Sequence, residues 1–77
     1  MRNRYLSNYM ESFSDLTVDE CKQECEEAKY YYCVSFDFYV SGSSTYCYLS
    51  MHNRYSAVLY YSTSYSYYER DCMGMFQ

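Results

Sequence analysis

Five cysteines and a single histidine are the residues of this 77-residue chain that could perform chemistry. They are Cys21, Cys25, Cys33, Cys47, Cys72 and His52. Such side chains can form disulfides, bind zinc, or act together as a nucleophile and its base. A chain this short buries only about 60% of its unfolded surface and usually needs covalent staples. We therefore expect disulfides, and with them a secreted or cell-surface protein, because the cytosol keeps thiols reduced. The alternative is a cytosolic protein with buried free thiols.

A zinc site would have to use the first four cysteines, which are separated by three, seven and thirteen residues. Structural zinc sites more often use two closely spaced Cys-x2-4-Cys pairs. The spacing therefore favours disulfides, and we expect no metal and no cofactor.

If the chain were an enzyme, Cys72 could act as the nucleophile and His52 as its base. No residue stands out as an orienting partner for the histidine. Asp37 could form a carboxylate pair with Glu69 or Asp71, although carboxylates on a half-exposed strand are more often solvated. The sequence has only 2 glycines and no phosphate-binding glycine loop. We predict that the chain is not an enzyme.

The charge and hydropathy of the chain exclude two classes of partner. Its net charge is -4 and its six basic residues are scattered, so it lacks the positive footprint that nucleic acids require. It has no apolar run of about 18 residues, so we expect no membrane insertion. Its first residues lack a continuous apolar segment, so we expect a removed signal peptide or a module cut from a longer extracellular chain.

The strongest local signal is a helix over residues 18–28. Thr17 occupies the N-cap position and Glu20 follows three residues later, which is the pattern of a capping box. Cys21 and Cys25 are four residues apart and therefore lie on one face of this helix. We expect that face to be buried and the opposite, charged face to be exposed to solvent.

A β-hairpin is predicted next, with strands in 30–40 and 46–51 and a turn at 41–45. Alternation in the first strand separates Val34, Phe36, Phe38 and Val40, expected to face the helix, from Ser35, Asp37 and Tyr39. In the second strand it separates Cys47, Leu49 and Met51 from Tyr46, Tyr48 and Ser50.

The remaining segments carry weaker signals. We predict a strand followed by a loop in 4–16, and a short strand or packed loop in 55–61. Residues 64–72, rich in strand-forming tyrosine, are expected to form the last strand, and residues 73–77 a tail. Because the chain has only 77 residues, residues 1–77 are expected to form a single domain.

Spacing alone does not determine which cysteines pair. The two helix cysteines must meet cysteines on the element that packs against their face, and Cys47 lies on the inner side of the hairpin. Cys25, at the end of the helix, can close a short loop with Cys33. Cys21 would then pair with Cys47.

The order of these elements and cysteines resembles the PAN/apple module family over residues 16–72. The shared features are a helix with Cys-x3-Cys, then Cys-x-x-Phe-x-aromatic, Cys-x-Leu, and an aromatic strand ending in cysteine. In this chain they correspond to Cys21, Cys25, Cys33, Phe36, Phe38, Cys47, Leu49, Tyr67, Tyr68 and Cys72. The resemblance implies an α+β fold, in which one helix packs on a curved antiparallel sheet, and the same two bridges. It also implies an extracellular module that binds proteins or carbohydrates.

Cys72 departs from the family pattern, because apple-type members carry an early cysteine that bridges the terminal one. No cysteine precedes Cys21 here. Three alternatives remain: an upstream partner has been lost, Cys72 pairs between chains, or it is a buried free thiol.

The 14 tyrosines suggest where a ligand would bind. Tyrosine offers a large contact area with a hydrogen-bonding tip and loses little rotamer entropy. The first hypothesis is a recognition or adhesion module that binds an extracellular protein or glycan. Its candidate surface comprises Asp37, Tyr39, Tyr46 and Tyr48, with Arg54 at the rim.

Two further hypotheses concern other surfaces. A self-assembling array or filament could form through an unprotected edge of the uncharged segment YYSTSYSYY, with Tyr60, Tyr61, Tyr65 and Tyr67 as candidates. The candidate O-glycosylation residues are Ser43, Ser44, Thr45, Ser62, Thr63 and Ser64. A small secreted inhibitor or effector would need a protruding loop, and only residues 41–45 qualify.

Overall fold

One α-helix and five β-strands make up the described part of the chain, residues 1–76, in a computed structural model. The strands are β1 (Arg2–Leu6), β2 (Glu11–Ser14), β3 (Ser35–Ser41), β4 (Ser44–Ser50) and β5 (Leu59–Glu69), and the helix is α1 (Val18–Glu26). The strands form one antiparallel sheet in the order β1-β5-β3-β4-β2. The predicted α+β class, with one helix against an antiparallel sheet, is confirmed.

The predicted capping box begins α1. The Glu20 amide donates to Thr17 Oγ1 at 3.2 Å, and the Thr17 amide donates to Glu20 Oε1 at 2.8 Å. The helix ends at Glu26, two residues earlier than predicted. Cys25 bridges Cys33 only eight residues later, so the chain has to turn back at once.

The β3–β4 hairpin turns through two residues, Gly42 and Ser43, which is a shorter turn than the predicted 41–45. Gly42 has a φ of +61°, a conformation that glycine adopts without a steric penalty. Gly42 and Ser43 therefore form a tight turn between paired strands, which is shorter than the protruding loop that the effector hypothesis needs.

The core lies between α1 and one face of the sheet. It consists of Phe36, Leu49 and the four cysteines Cys21, Cys25, Cys33 and Cys47. Val40 and Met51 were expected to face inward but are 45% and 47% exposed. The nine-residue helix is only about 13 Å long, and both residues lie at hairpin ends beyond its cover.

Both expected disulfides are present. Cys21 is joined to Cys47 and Cys25 to Cys33, with Cα–Cα distances of 5.9 and 5.2 Å. The first bridge ties α1 to β4, and the second ties the end of α1 to the segment before β3. Cys72 has an exposed free thiol, so the alternative of a buried free thiol is wrong, while a lost upstream partner and a bridge between chains both stay open.

The loop predicted after the first strand is wrong, because residues 11–14 form β2 and pair with β4. Phe13 lies opposite Cys47 in that pairing and packs against the core. Its serine neighbours, Ser12 and Ser14, lie on the other side of the strand. One partly buried aromatic between two small polar residues is too short a pattern to be recognised as a strand.

The predicted tail at residues 73–77 is also wrong as far as it is described. Phe76 pairs with Arg70 in a β-bridge, and its ring lies 5.5 Å from that of Phe36. The chain therefore folds back against the core after β5. Gln77 lies outside the described residues.

The two elements predicted in 55–61 and 64–72 are one strand, β5. Its residues 65–69 pair with β3, whereas its residues 59–61 pair with β1. The first half of β5 therefore pairs with β1 but not with β3. Only the second half of β5 lies between two paired strands.

Candidate binding surface

The sheet face opposite α1 is divided into a covered half and an open half. We expected solvent exposure on this face for Ser35, Asp37 and Ser50. These residues are buried, and so are their neighbours Tyr67 and Glu69. The expectation was wrong because it assumed that nothing covers this face. In the structure, the turn after β4 and the end of β1 both lie over it.

Hydrogen bonds hold the turn over the covered half. The Ser35 hydroxyl donates to the carbonyl of His52, and the His52 amide donates to Ser50 Oγ at 3.0 Å. The Arg54 amide donates to the Tyr67 hydroxyl at 3.1 Å, and that hydroxyl donates to Glu69 at 2.8 Å. These buried polar groups are therefore paired.

The open half carries seven tyrosines whose rings contact one another, here called the tyrosine cluster. They are Tyr5, Tyr9, Tyr39, Tyr46, Tyr48, Tyr60 and Tyr65. Tyr5 stacks on Tyr65 at 4.2 Å between ring centroids, and Tyr65 lies 4.7 Å from Tyr39. On the other side, the rings of Tyr9 and Tyr48 are 5.0 Å apart. Contacts between rings brace each side chain and leave parts of the rings available to a ligand.

Three of the predicted surface residues, Tyr39, Tyr46 and Tyr48, do lie together in this cluster. Sequence reasoning missed Tyr5 and Tyr9, because their segment was treated as an irregular strand and loop with no assigned face. A strand prediction for residues 2–6 paired with β5 would have found Tyr5, which lies opposite Tyr60.

Asp37 forms the floor of a pocket within the cluster instead of part of an exposed surface. The pocket has a volume of about 250 Å³ and is lined by Tyr5, Leu6, Ser7, Tyr9, Asp37, Tyr48 and Tyr65. Asp37 is only 2% exposed. Its two carboxylate oxygens accept hydrogen bonds from the same donor, the Leu6 amide, at 3.0 and 3.1 Å.

Burial dominates the electrostatics of this pocket. It raises the pKa of Asp37 to about 7, against the opposing effect of the Leu6 hydrogen bond. Burial also raises the pKa values of Tyr48 and Tyr65, and the neighbouring tyrosines and Asp37 raise them further. Tyr48 and Tyr65 therefore stay neutral at physiological pH, and among the described residues Asp37 is the one carboxylate that lines the pocket.

Arg54 does not lie at the rim of the cluster, so that expectation is wrong. Its guanidinium lies 3.3 Å from the Glu69 carboxylate and over the ring of Tyr55. Glu69 is four residues from Tyr65 along β5, or roughly 13 Å. Arg54 instead lines a separate cavity of about 700 Å³, where it is paired with Glu69.

The four self-assembly candidates have different environments. Tyr60 and Tyr61 are exposed, and the Arg4 guanidinium lies 5.0 Å from the Tyr61 ring centroid. Tyr65 belongs to the tyrosine cluster. Tyr67 is fully buried, so it cannot contact a second copy of the folded chain.

The candidate sites for O-linked sugar also differ in their exposure to solvent. Ser43, Thr63 and Ser64 are exposed, whereas Ser44, Thr45 and Ser62 are half-buried. The Thr45 hydroxyl donates to the carbonyl of Leu16 at 2.8 Å, and a sugar on that oxygen would break the bond. The exposed three remain the better candidates.

The geometry gives little support to the hypotheses of a zinc site, a membrane span or a catalytic histidine. The four cysteines of the zinc hypothesis are consumed by disulfides, and residues 1–76 contain no group of three potential metal ligands. Over the same residues, no helix is long and apolar enough to cross a membrane. His52 lies in the turn after β4, with Nδ1 3.5 Å from the Ser56 hydroxyl.

The family model described as PAN domain matches residues 1–72, nearly the whole chain. The chain belongs to the PAN domain family. The match includes residues 1–15, which the resemblance seen in the sequence had left out. PAN domains are in general disulfide-stapled extracellular modules that bind proteins or carbohydrates without catalysis. Comparison with curated proteins and comparison with solved structures each gave no match.

Proposed function

We propose that this PAN domain is a non-catalytic extracellular recognition module and that it binds its partner through the tyrosine cluster. The observation that supports the proposal is the open half of the second sheet face, where seven tyrosine rings contact one another and no element within residues 1–76 covers them. The chain covers the other half of the same face with its own turn. The open half is thus the surface most suited to a partner.

The chemistry of the cluster suits a protein or a sugar ring. Tyrosine presents a flat apolar face for stacking and a hydroxyl for hydrogen bonding, and it has few rotatable bonds to immobilise. Tyr39 lies between Tyr46 and Tyr65, with ring centroids 5.9 and 4.7 Å away. A ligand would therefore meet rings that are already held in place, which lowers the entropy lost on binding.

The proposal can be tested by probing glycan arrays and arrays of extracellular proteins with the labelled chain. The test variant is Tyr39→Ser with Tyr46→Ser, which removes two rings of the cluster that do not line the Asp37 pocket. The matched control is Tyr30→Ser with Tyr55→Ser, because these tyrosines are 97% and 80% exposed and lie outside the cluster. Circular dichroism and non-reducing mass spectrometry verify that both variants fold with two disulfides.

We expect array binding to fall at least about tenfold in the cluster variant and to persist in the control. Two outcomes would contradict the proposal. One is binding that the cluster variant retains in full, and the other is the absence of any protein or glycan bound by the unmodified chain.

Self-assembly through the first half of β5 is a second candidate function. Residues 59–61 pair with β1, whereas the register with β3 covers only residues 65–69. Residues 60–64 contain no charge and no proline, and such a segment with an unpaired side favours strand addition. Sedimentation velocity over a wide concentration range tests this, with Tyr61→Lys as the blocking variant. A strict monomer at high concentration contradicts it.

We also propose that the exposed hydroxyls of Ser43, Thr63 and Ser64 are the sites that carry O-linked sugar. An intact mass of the protein isolated from its native source, before and after enzymatic removal of O-linked sugar, tests this proposal. An unchanged mass equal to that of the polypeptide contradicts it.

A further inference from the structure

We propose that the pocket beneath the tyrosine cluster binds a primary ammonium group, the head of a lysine side chain on a partner protein, with Asp37 as its counter-ion. We make this inference on the basis of the proposed function, and it specifies the chemistry that one part of the surface recognises. The observations behind it are the aromatic walls, the buried carboxylate at the floor, and the way in which that carboxylate is hydrogen-bonded.

The walls favour a cation with an alkyl stem. Four of the seven lining residues are tyrosines, Tyr5, Tyr9, Tyr48 and Tyr65. Aromatic ring faces attract cations within about 6 Å of their centroids and also pack well against methylene groups. Tyr9, at 55% exposure, leaves the pocket in contact with solvent. A lysine side chain has this combination of an apolar stem and a charged tip.

The carboxylate of Asp37, at the floor of the pocket, has no cationic partner among the described residues. An ionised carboxylate offers about four lone-pair positions, and Asp37 receives hydrogen bonds from one N–H only. Within residues 1–76 it has no salt-bridge partner. A buried carboxylate that is neither paired nor fully hydrogen-bonded is unfavourable, and a cation entering the pocket would remove that penalty.

The hydrogen-bond geometry at Asp37 favours an ammonium group over a guanidinium. The Leu6 amide donates to both oxygens at nearly equal distances, 3.0 and 3.1 Å, so it occupies the position between them. A guanidinium binds a carboxylate best through a two-pronged contact at that same position. An ammonium needs only one of the remaining lone pairs. A tetramethylammonium ion has no N–H to donate and would gain the ring contacts alone.

Affinity for the ammonium group should rise with pH through the titration of Asp37. Its pKa lies near 7. The titratable side chains that line the pocket with it are Tyr5, Tyr9, Tyr48 and Tyr65, and burial raises the pKa of Tyr48 and of Tyr65. Alkylammonium groups remain charged below about pH 10. Because protonation of Asp37 removes the counter-ion and leaves only the ring contacts, apparent affinity at pH 5.5 should be about 30-fold lower than at pH 8.

The test is a titration of the full chain with n-butylammonium chloride, followed by NMR of ¹³C-labelled tyrosine rings. Sodium chloride at matched ionic strength is the blank, and n-butylguanidinium and tetramethylammonium are the competing chemistries. The variant Asp37→Asn keeps the shape of the side chain and an acceptor for Leu6 while removing the charge. Glu26→Gln, on the exposed face of α1, is the charge-matched control.

We expect saturable shifts of the Tyr48 and Tyr65 rings with butylammonium at pH 8. Binding should weaken about 30-fold at pH 5.5 and at least tenfold in Asp37→Asn, remain unchanged in Glu26→Gln, and be weaker for the other two cations. No saturable shift at pH 8, or equal binding by Asp37→Asn, overturns the proposal. Equal or tighter binding of butylguanidinium or tetramethylammonium overturns its preference for an ammonium group.

A further arm separates this inference from the proposed function and identifies the source of the ammonium. Tyr46→Ser should weaken array binding but keep butylammonium binding, because its ring contacts that of Tyr39 and neither of these two rings lines the pocket. Array binding that depends on these rings, in a chain that does not bind butylammonium, sustains the proposed function and refutes the lysine pocket. Acetylation of the lysines of a bound array protein should abolish its binding, and unchanged binding after acetylation refutes a lysine as the ligand.

Discussion

Asp37 and Leu6 are joined by an unusual hydrogen bond, in which one backbone amide donates to both oxygens of a buried carboxylate at 3.0 and 3.1 Å. One donor compensates only part of the loss of water around the charge, and the pKa of Asp37 accordingly rises to about 7. Asp37 lies in the middle of β3, beneath the ring cluster, so this relationship links the stability of the domain to the chemistry of its candidate binding surface.

Replacing Asp37 by asparagine should stabilise the protein at neutral pH. The unfolded chain releases this proton near pH 4 and the folded chain near pH 7, so the folded state binds more protons in between and stability falls as pH rises. The expected loss is about 2–4 kcal/mol between pH 4 and pH 8. Asp37→Asn should remove this part of the pH dependence, as measured by urea unfolding at several pH values.

Glu26→Gln serves as the control for that experiment, because Glu26 is exposed on α1. It should leave the slope of unfolding free energy against pH unchanged. A slope that persists in Asp37→Asn would show that another group is responsible.

The two disulfides should contribute unequally to stability. The Cys21–Cys47 bridge spans 26 residues and the Cys25–Cys33 bridge spans 8. In the chain-entropy model these loops correspond to about 3.6 and 2.6 kcal/mol. Replacing both cysteines of a bridge by serine should therefore lower the unfolding free energy more for the first pair, as measured by urea denaturation. The opposite order would show that the chain-entropy model does not govern these bridges.

The capping box should be measurable in the stability of the domain. Thr17→Ala removes the acceptor for the Glu20 amide and should lower the unfolding free energy by about 1 kcal/mol. Asp19→Ala in the same turn tests the contribution of a negative charge near the helix N-terminus, which should be smaller. An unchanged unfolding free energy in Thr17→Ala, measured by thermal or urea unfolding, would contradict the role of the cap.

The buried hydroxyl of Tyr67 should stabilise the turn that covers half of the second sheet face. It donates to Glu69 at 2.8 Å and accepts from the Arg54 amide at 3.1 Å. Tyr67→Phe leaves these partners with one hydrogen bond fewer and should lower the unfolding free energy by about 1–3 kcal/mol. Tyr55→Phe, at an exposed site, is the control, and a loss of the same size there would contradict the role of the buried hydroxyl.

The parts of the fold that the sequence predicted are those with strong local signals. The capping box placed α1, the period of two placed the hairpin, and the positions of Cys25 and Cys33 agreed with a short loop closure. The second strand, β2, was missed because its four residues include a single partly buried aromatic, Phe13. Its existence depends on pairing with β4, which is a tertiary effect.

The candidate site was predicted only in part for a similar reason. Alternation correctly grouped Tyr39, Tyr46 and Tyr48 on one face, but it could not show that a turn covers half of that face. Asp37 and Tyr39 have the same phase in β3, yet the first is buried and the second lies in the open cluster. Which half is covered depends on the residues that follow β4, and no local pattern in β3 contains that information.

The central claim, that the tyrosine cluster is the binding surface, is tested most directly by mapping a bound partner on the chain. The measurement is NMR of ¹³C-labelled tyrosine rings during titration with the strongest binder from the protein and glycan arrays. We predict that the largest shifts occur at Tyr39, Tyr46, Tyr48 and Tyr65, while Tyr30 and Tyr55 remain unmoved. Shifts confined to Tyr30, Tyr55 or Tyr61, with the cluster unchanged, would contradict the claim.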